Sequence, residues 1–169
     1  GYKLVTALTT ALKHKLLHLD IKPGNILFNS EGEPKLIDFG LARNPEIEKK
    51  SDEVLGTPYY LAPERILERR EDFRSDMYSL AGTLYHALTG RVPFEGATNE
   101  DVVAAQAYTP LTPPVEICSD ITPLTNEAIV RGLAKNPDDR YQSYDEFAMA
   151  LYAARSYLLI QKYRTGGEE

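Results

Sequence analysis

The segment from residue 76 to residue 88 constrains the fold more than any other part of the sequence. It reads DMYSLAGTLYHAL, and its apolar side chains are spread around most of the circumference of a helix. A helix of this kind needs protein on nearly every side, so we expect it to be the buried centre of the fold. Thr89 and Gly90 follow directly and predict a glycine cap at the end of this helix.

The N-terminal part of the chain predicts a helix followed by a β-hairpin. Leucines at positions 4, 8, 12 and 16 form a helical stripe. Residues 25–28 and 34–37 have strand-like composition, and the polar, glycine-containing stretch between them predicts a hairpin connection. Residues 43–58 are polar and charged without periodicity, which predicts a loop.

The C-terminal half predicts further helices with recognisable starts and ends. Thr98 and Ser143 are each followed three residues later by an acidic residue, the pattern of a capping box. The proline-rich connector 109–123 lies between them and predicts an extended, irregular path. A further helix near 125–135 is expected to stop at Asn136 and Pro137.

The composition suits one globular domain and argues against several classes of protein. The chain has 169 residues, of which 43% are apolar and 26% charged. We interpret 1–169 as one domain with frayed residues at 164–169. The net charge of −6 argues against a nucleic-acid partner, and no apolar run is long enough to span a membrane. The single cysteine, Cys118, and the absence of a signal-peptide pattern predict a cytoplasmic protein.

Four polar residues around the predicted hairpin have the chemistry that phosphoryl transfer from a nucleotide requires. Such transfer needs a group that accepts or orients the incoming hydroxyl proton, and oxygen ligands for the metal that neutralises the phosphates. Asp20, on the loop before the first strand, suits the first task, whereas Asn25 and Asp38 suit the second. Because the two ends of a hairpin meet, Asn25 and Asp38 can converge on one ion. Lys22 adds a positive charge for the transferring phosphoryl group.

An ordered series of motifs resembles the C-terminal lobe of a eukaryotic-type serine/threonine protein kinase. Residues 18–25, HLDIKPGN, resemble the catalytic loop, residues 38–40, DFG, resemble the metal-binding motif, and residues 62–64, APE, resemble the end of the activation segment. The resemblance covers nearly the whole chain. It implies a mainly α-helical lobe with a short β-hairpin at the catalytic loop and without the N-terminal β lobe. It also implies ATP and Mg²⁺ as cofactors and a protein as the substrate.

The resemblance gives each candidate residue a role. Two positions are implied to be catalytic, Asp20 and Lys22, and two are implied to bind metal, Asn25 and Asp38. The activation segment, which contacts the substrate and can carry a phosphate, is implied to include Ser51, Gly56 and Thr57. Four further residues are implied to be structural braces: His18, Glu64, Asp76 and Arg140. Of these, Asp76 is implied to hold the catalytic-loop backbone, and Arg140 is implied to pair with Glu64.

Two alternative functions stay open at this point. A pseudokinase or scaffold lobe would keep these motifs without turnover, although the intact set of four catalytic and metal-binding positions weighs against it. Small-molecule kinases of the aminoglycoside and choline type also carry His-x-Asp-x-x-x-x-Asn and a later Ile-Asp-Phe. Lys22, the stretch 56–64 and the helix that begins near Asp76 resemble protein kinases instead.

The sequence departs from the family pattern in two places. Leu19 stands where the family usually has an arginine that binds a phosphate on the activation segment, so we expect control through that pairing to be absent. This leucine also hints at a bacterial source. Second, no glycine-rich loop, strand lysine or adenine hinge precedes the catalytic loop. We therefore expect Gly1 to mark a cut within a longer parent that supplies the missing lobe, the fragment alone to be nearly inactive, and the bared surface to favour self-association.

Overall fold

The computed structural model describes residues 1–39, 42, 44, 58–67 and 71–165. Within these ranges the chain forms seven α-helices: α1 Tyr2–Lys13, α2 Pro63–Leu67, α3 Phe73–Thr89, α4 Asn99–Tyr108, α5 Pro114–Ile117, α6 Pro123–Gly132 and α7 Tyr144–Thr165. Two strands, β1 Ile26–Phe28 and β2 Pro34–Leu36, form the one sheet of the described residues. Short 3₁₀ turns lie at Pro23–Asn25, Pro58–Tyr60 and Pro137–Asp139. The prediction of a mainly helical fold with one hairpin is confirmed.

Helix α3 is the centre of the fold, as the sequence predicts. Residues 75–83 are all buried along this helix. The side chain of Asp72 caps its N-terminus by accepting a hydrogen bond from the backbone N–H of Arg74 at 2.7 Å. Gly90 ends the helix in the left-handed conformation, with φ of 71°, and donates its backbone N–H to His86 O. Helices α1, α5 and α6 pack around α3, so the functional residues that it carries have little freedom to move.

Helices α3 and α6 approach each other closely at a glycine. A Cβ atom at Gly132 would lie 2.7 Å from the Cβ atom of Ala81, which is closer than van der Waals contact allows. The same core is filled by fully buried side chains from four helices: Leu8, Met77, Tyr78, Leu80, Ile129 and Phe147. Close packing of this kind makes the interior sensitive to the addition of a single methyl group.

The predicted hairpin is present, with each strand one residue shorter than predicted. Strands β1 and β2 are antiparallel, with Ile26 opposite Leu36 and Phe28 opposite Pro34. The side chain of Asn29 organises the turn, because its Oδ1 accepts the backbone N–H groups of Glu31 and Glu33 at 3.1 and 2.8 Å.

Three of the predicted boundaries are wrong for local reasons. Helix α1 ends at Lys13 rather than continuing to residue 16, because Lys15 adopts a left-handed conformation with φ of 58°. The connector 109–123 contains the one-turn helix α5, since a proline is well tolerated in the first turn of a helix. The helix predicted near 125–135 runs from Pro123 to Gly132 instead, with Thr122 as its N-cap.

Of the two predicted capping boxes, one is complete and one is half formed. The side chain and backbone of Thr98 exchange both hydrogen bonds with Asp101 at the start of α4. At the start of α7, the hydroxyl of Ser143 accepts the backbone N–H of Glu146 at 3.1 Å. The carboxylate of Glu146, however, accepts the N–H of Gln142 rather than that of Ser143.

The ends of the described ranges limit two predictions. Nearly all of the predicted loop 43–58 lies outside the described residues. Helix α7 extends to Thr165, and residues 166–169 also lie outside. Across the part of the chain that the structure describes, none of the helices is both long and apolar enough to cross a bilayer.

Candidate active site

The loop that carries Asp20 is held in place by Asp76 of the central helix α3. Asp76, near the start of α3 and 1% exposed, accepts the backbone N–H of His18 at Oδ2 and that of Leu19 at Oδ1, at 2.7 and 2.8 Å. Burial raises the pKa of the Asp76 carboxyl group, and these two backbone hydrogen bonds oppose the rise. Both carboxylate oxygens are therefore used to position two successive peptide groups of the loop.

His18 joins this loop to the segment that follows β2. Its imidazole is completely buried; Nδ1 accepts the backbone N–H of Asp20 at 3.3 Å, and Nε2 lies 3.1 Å from Ile37 O. Because Nδ1 accepts, Nε2 carries the proton and donates it to the carbonyl. The ring also packs against Phe39, with 4.6 Å between the ring centroids. The structure thus places His18 where the sequence expects a brace, between residues 20 and 37–39.

Asp20, Lys22 and Asn25 form one hydrogen-bonded cluster. Lys22 Nζ donates to Asp20 Oδ2 at 2.7 Å, and Asn25 Nδ2 donates to the same oxygen at 3.0 Å. Asn25 Nδ2 also donates to the backbone oxygen of Asp20 at 2.8 Å. The Asp20 side chain keeps 15% of its surface exposed and that of Lys22 keeps 28%, so both are accessible to a substrate. The 3₁₀ turn Pro23–Asn25 is what folds residue 25 back onto residue 20.

The hairpin brings Asp38 beside this cluster. The backbone N–H of Ile37 donates to Asn25 O at 2.9 Å, so the residue after Ile37 leaves the hairpin next to Asn25. Asp38 itself adopts a left-handed conformation with φ of 59°, which turns the chain sharply at this point. Gly40, the last residue of the motif, lies outside the described residues.

The donor set at this position fits Mg²⁺. Both protons of the Asn25 amide are directed to Asp20, so the amide oxygen, together with the Asp38 carboxylate, would be the ligand for a metal ion. Within the described ranges, no three or more His, Cys, Asp or Glu side chains cluster as a metal site. Mg²⁺ is usually held by one or two carboxylates and completes its shell with water and phosphate oxygens, so an amide oxygen beside one carboxylate suits this ion.

A second buried structure holds helix α2. Arg140 donates from Nη1 to Glu64 Oε1 at 2.8 Å and from Nη2 to Glu64 Oε2 at 2.7 Å, with the two side chains 0% and 6% exposed. Ser75 Oγ also donates to Glu64 Oε1 at 2.7 Å. The remaining Arg140 donors reach the backbone oxygens of Arg74, Ala134 and Lys135, so this ion pair has no unsatisfied polar atom.

Comparison with known proteins agrees with this arrangement. The family described as protein kinase domain matches residues 1–151. The chain belongs to the protein kinase family. The predicted resemblance and the predicted fold class are thereby confirmed.

Several bacterial serine/threonine-protein kinases are similar to this kinase chain. A probable serine/threonine-protein kinase of Corynebacterium efficiens is 38% identical over 153 residues, which is 86% of this chain and 23% of the relative. Serine/threonine-protein kinase PknB of Mycolicibacterium smegmatis is 37% identical over 144 residues, 83% of this chain and 23% of the relative. Serine/threonine-protein kinase PknE of Mycobacterium tuberculosis is 36% identical over 151 residues, which is 88% of this chain and 26% of the relative. The kinase chain therefore spans about a quarter of the length of these relatives.

Three predicted site residues of the kinase chain cannot be placed. Ser51, Gly56 and Thr57 lie outside the described residues. The chain is described again from Pro58, and the turn Pro58–Tyr60 is held by a residue that the sequence analysis missed. Gln106 on α4, completely buried, donates from Nε2 to Pro58 O and Tyr59 O at 3.2 and 2.6 Å.

Two polar residues near the site carry no signal that sequence reasoning could have used. Gln106 is a single amide within a helix. The hydroxyl of Tyr78 donates to Gln106 Oε1 at 2.6 Å, but the sequence predicts Tyr78 only as a core residue. Arg65 follows the APE motif and reads as a solvated charge. In the structure its Nη1 donates to Leu19 O at 2.7 Å, and its Nε donates to Glu71 Oε1 at 3.2 Å.

Proposed function

We propose that this chain is the catalytic-loop lobe of an ATP- and Mg²⁺-dependent serine/threonine protein kinase, which transfers a γ-phosphoryl group to a protein hydroxyl. The observation that carries the proposal is the cluster in which Lys22 and Asn25 both donate to Asp20 Oδ2. The hairpin leads the chain to Asp38 beside this cluster. The family membership and the names of the relatives support it.

In this proposal each residue of the cluster has a separate task. The Asp20 carboxylate orients the substrate hydroxyl and accepts its proton, in a position that the hydrogen bonds from Lys22 and Asn25 define. The Lys22 ammonium group, which is partly exposed, supplies positive charge next to the transferring phosphoryl group. Asn25 Oδ1 and the Asp38 carboxylate would hold Mg²⁺, which when bound neutralises charge on the phosphate oxygens.

We further propose that this lobe works with a nucleotide-binding lobe in a longer protein, and that the 169 residues alone are nearly inactive. In support, the chain spans about a quarter of the length of its relatives, and two large apolar side chains of the hairpin are exposed, Leu27 to 54% and Phe28 to 70%. The same exposed surface favours self-association of the isolated chain. A cytoplasmic location remains part of the proposal and rests on the composition alone.

An assay of phosphoryl transfer tests the proposal, with the full-length natural protein that contains this chain. We expect transfer from ATP to serine or threonine of casein, and we expect Asp20→Asn to reduce the rate by at least about a hundredfold, as loss of a general base does. Asp101→Asn, a change in the exposed capping box of α4, is the matched control and should keep the rate. Transfer to an aminoglycoside or choline instead of protein, or a scaffold without turnover, would contradict the proposal.

Nucleotide binding by the isolated chain tests the second part. Calorimetry should show a Kd for Mg-ATP weaker than about 1 mM. Micromolar binding that Asp38→Asn removes would instead mean that this lobe binds the nucleotide without help.

A further inference from the structure

Leu19, directly before the proposed catalytic Asp20, is held in an unfavourable backbone conformation. Its φ is 65°, in the left-handed region that a bulky side chain avoids, and the residue is 5% exposed. A residue stays in such a conformation only when its surroundings provide several simultaneous constraints. The contacts that hold Leu19 therefore also determine where the Asp20 carboxylate points.

The peptide group between Leu19 and Asp20 is held at both ends by side chains. Its N–H belongs to Asp20 and donates to His18 Nδ1 at 3.3 Å, and its carbonyl oxygen accepts Arg65 Nη1 at 2.7 Å. The preceding peptide group is held by Asp76, as described above. The hydrogen bond from Arg65 is both the shorter of the two on this peptide group and the charged one, which makes it the stronger constraint.

Arg65 is itself fixed by its surroundings. It lies on α2, one residue after Glu64, which the buried pair with Arg140 holds in place. Its Nε donates to Glu71, and the two side chains are only 14% and 11% exposed. A guanidinium group with a fixed backbone and a largely buried carboxylate partner has little freedom to leave the Leu19 carbonyl.

We propose that Arg65 is a positioning residue that sets the Leu19–Asp20 peptide, and with it the Asp20 carboxylate, from the helix that ends the activation segment. Its effect on phosphoryl transfer rests on the function proposed above. Because Arg65 binds the backbone oxygen of Leu19, this contact needs no phosphate, and it connects the activation segment to the catalytic loop by a direct hydrogen bond.

Amide hydrogen exchange followed by NMR in the 169-residue chain tests the structural part without any assay of activity. Arg65→Met should speed exchange of the Leu19 and Asp20 amides by about tenfold relative to the Leu80 amide in the core of α3, the effect of losing one charged hydrogen bond. Arg65→Lys, which keeps the charge, should restore part of the protection. Arg74→Met removes a similarly exposed, ion-paired arginine that lies in the first turn of α3 and has no hydrogen bond to the Leu19 carbonyl, so it should not change this ratio.

Two results would overturn the proposal. One is an unchanged exchange ratio in Arg65→Met when urea unfolding shows the variant to be folded. The other is an equal ratio change in Arg74→Met, since that would show a general loss of stability rather than a local effect.

Kinetics of the longest natural protein test the catalytic consequence. Arg65→Met should lower kcat about tenfold and leave the KM for ATP unchanged, because Arg65 touches the catalytic loop and not the nucleotide, and Arg65→Lys should recover part of kcat. A loss confined to KM, or no loss of kcat, contradicts a positioning role. If the wild-type protein transfers no phosphoryl group, the proposed function fails while the exchange result still decides how Arg65 acts on the loop.

Discussion

Arg140 and Glu64 are 76 positions apart and form a two-pronged ion pair from which water is excluded. The pair links the turn before α7 to the helix that ends the activation segment, and Ser75 ties both to the central helix. The contact with Arg140 helps to fix Glu64 on α2, one position before Arg65.

Removing one member of this pair should destabilise the fold strongly. We expect Arg140→Met to lower the free energy of unfolding by about 3–5 kcal/mol, because the Glu64 charge is left buried without a partner. Urea denaturation followed by circular dichroism measures this. Arg131→Met is the control: Arg131 lies 3.9 Å from Glu146 with both side chains about half exposed, and its loss should cost about 1 kcal/mol or less. Equal losses in the two variants would contradict the prediction.

Adding one methyl group between α3 and α6 should also destabilise the core. The Cβ atom of Gly132→Ala would lie 2.7 Å from that of Ala81, so one of the helices has to shift, at a cost of about 1–3 kcal/mol. Gly24→Ala is a suitable control, because a Cβ atom there has nothing within 4 Å. Thermal unfolding should therefore separate the two variants, and a Gly132→Ala protein as stable as Gly24→Ala would show that the two helices are not packed as described.

Loss of the Gln106 amide should loosen the turn Pro58–Tyr60. Gln106→Leu leaves the backbone oxygens of Pro58 and Tyr59 and the hydroxyl of Tyr78 without this partner, and we expect a cost of about 2 kcal/mol. Urea denaturation gives the cost, and limited proteolysis should show faster cleavage near residue 58. Unchanged stability together with unchanged cleavage would mean that water replaces the amide fully.

Lys135 should give the chain a pH dependence of stability at alkaline pH. Its ammonium group lies over the Phe94 ring at 3.4 Å and donates to Ala105 O and Gln106 O at the end of α4. Burial, together with the charge of Arg140, lowers the pKa of Lys135 from 10.5 to about 8. Between about pH 8 and pH 10.5 the unfolded chain therefore binds more protons than the folded chain, so stability rises with pH across this window.

The measurement is urea denaturation of wild type and Lys135→Met at pH 7.5 and pH 9.5. The difference between the two proteins cancels the titration of the other groups that they share. We expect the free energy of unfolding of the wild type, relative to that of Lys135→Met, to be higher at pH 9.5 than at pH 7.5. A shift in the opposite direction would mean that the two carbonyl contacts raise the pKa of Lys135 instead.

The sequence predicts this protein best where local chemistry determines the structure. The central helix and its Gly90 cap, the hairpin and the complete capping box at Thr98 each depend on residues a few positions apart, and all are confirmed. The family pattern identifies the candidate cluster of Asp20, Lys22 and Asn25, because one loop and one hairpin fix the spacing of these residues in the sequence.

The features that sequence reasoning missed depend on contacts between distant segments. Arg65 reaches Leu19 across 46 positions, and Gln106 reaches Pro58 across 48. Neither has a sequence period or a motif, since the partner is a backbone oxygen that every residue possesses. Helix α5 differs for another reason: a proline-rich stretch predicts an extended path, whereas the first turn of a helix accepts a proline.

The contacts that shape the loop around Asp20 also have a consequence for the order in which the chain folds. The backbone of His18 and Leu19 binds a carboxylate 58 and 57 positions later, and the Leu19 carbonyl binds a side chain 46 positions later. Closing such long loops is slow compared with forming a helix or a hairpin. During synthesis the HLDIKPGN stretch therefore emerges long before its partners exist. The catalytic loop is a late product of folding, and a chain that ends before residue 76 carries the motif without the geometry.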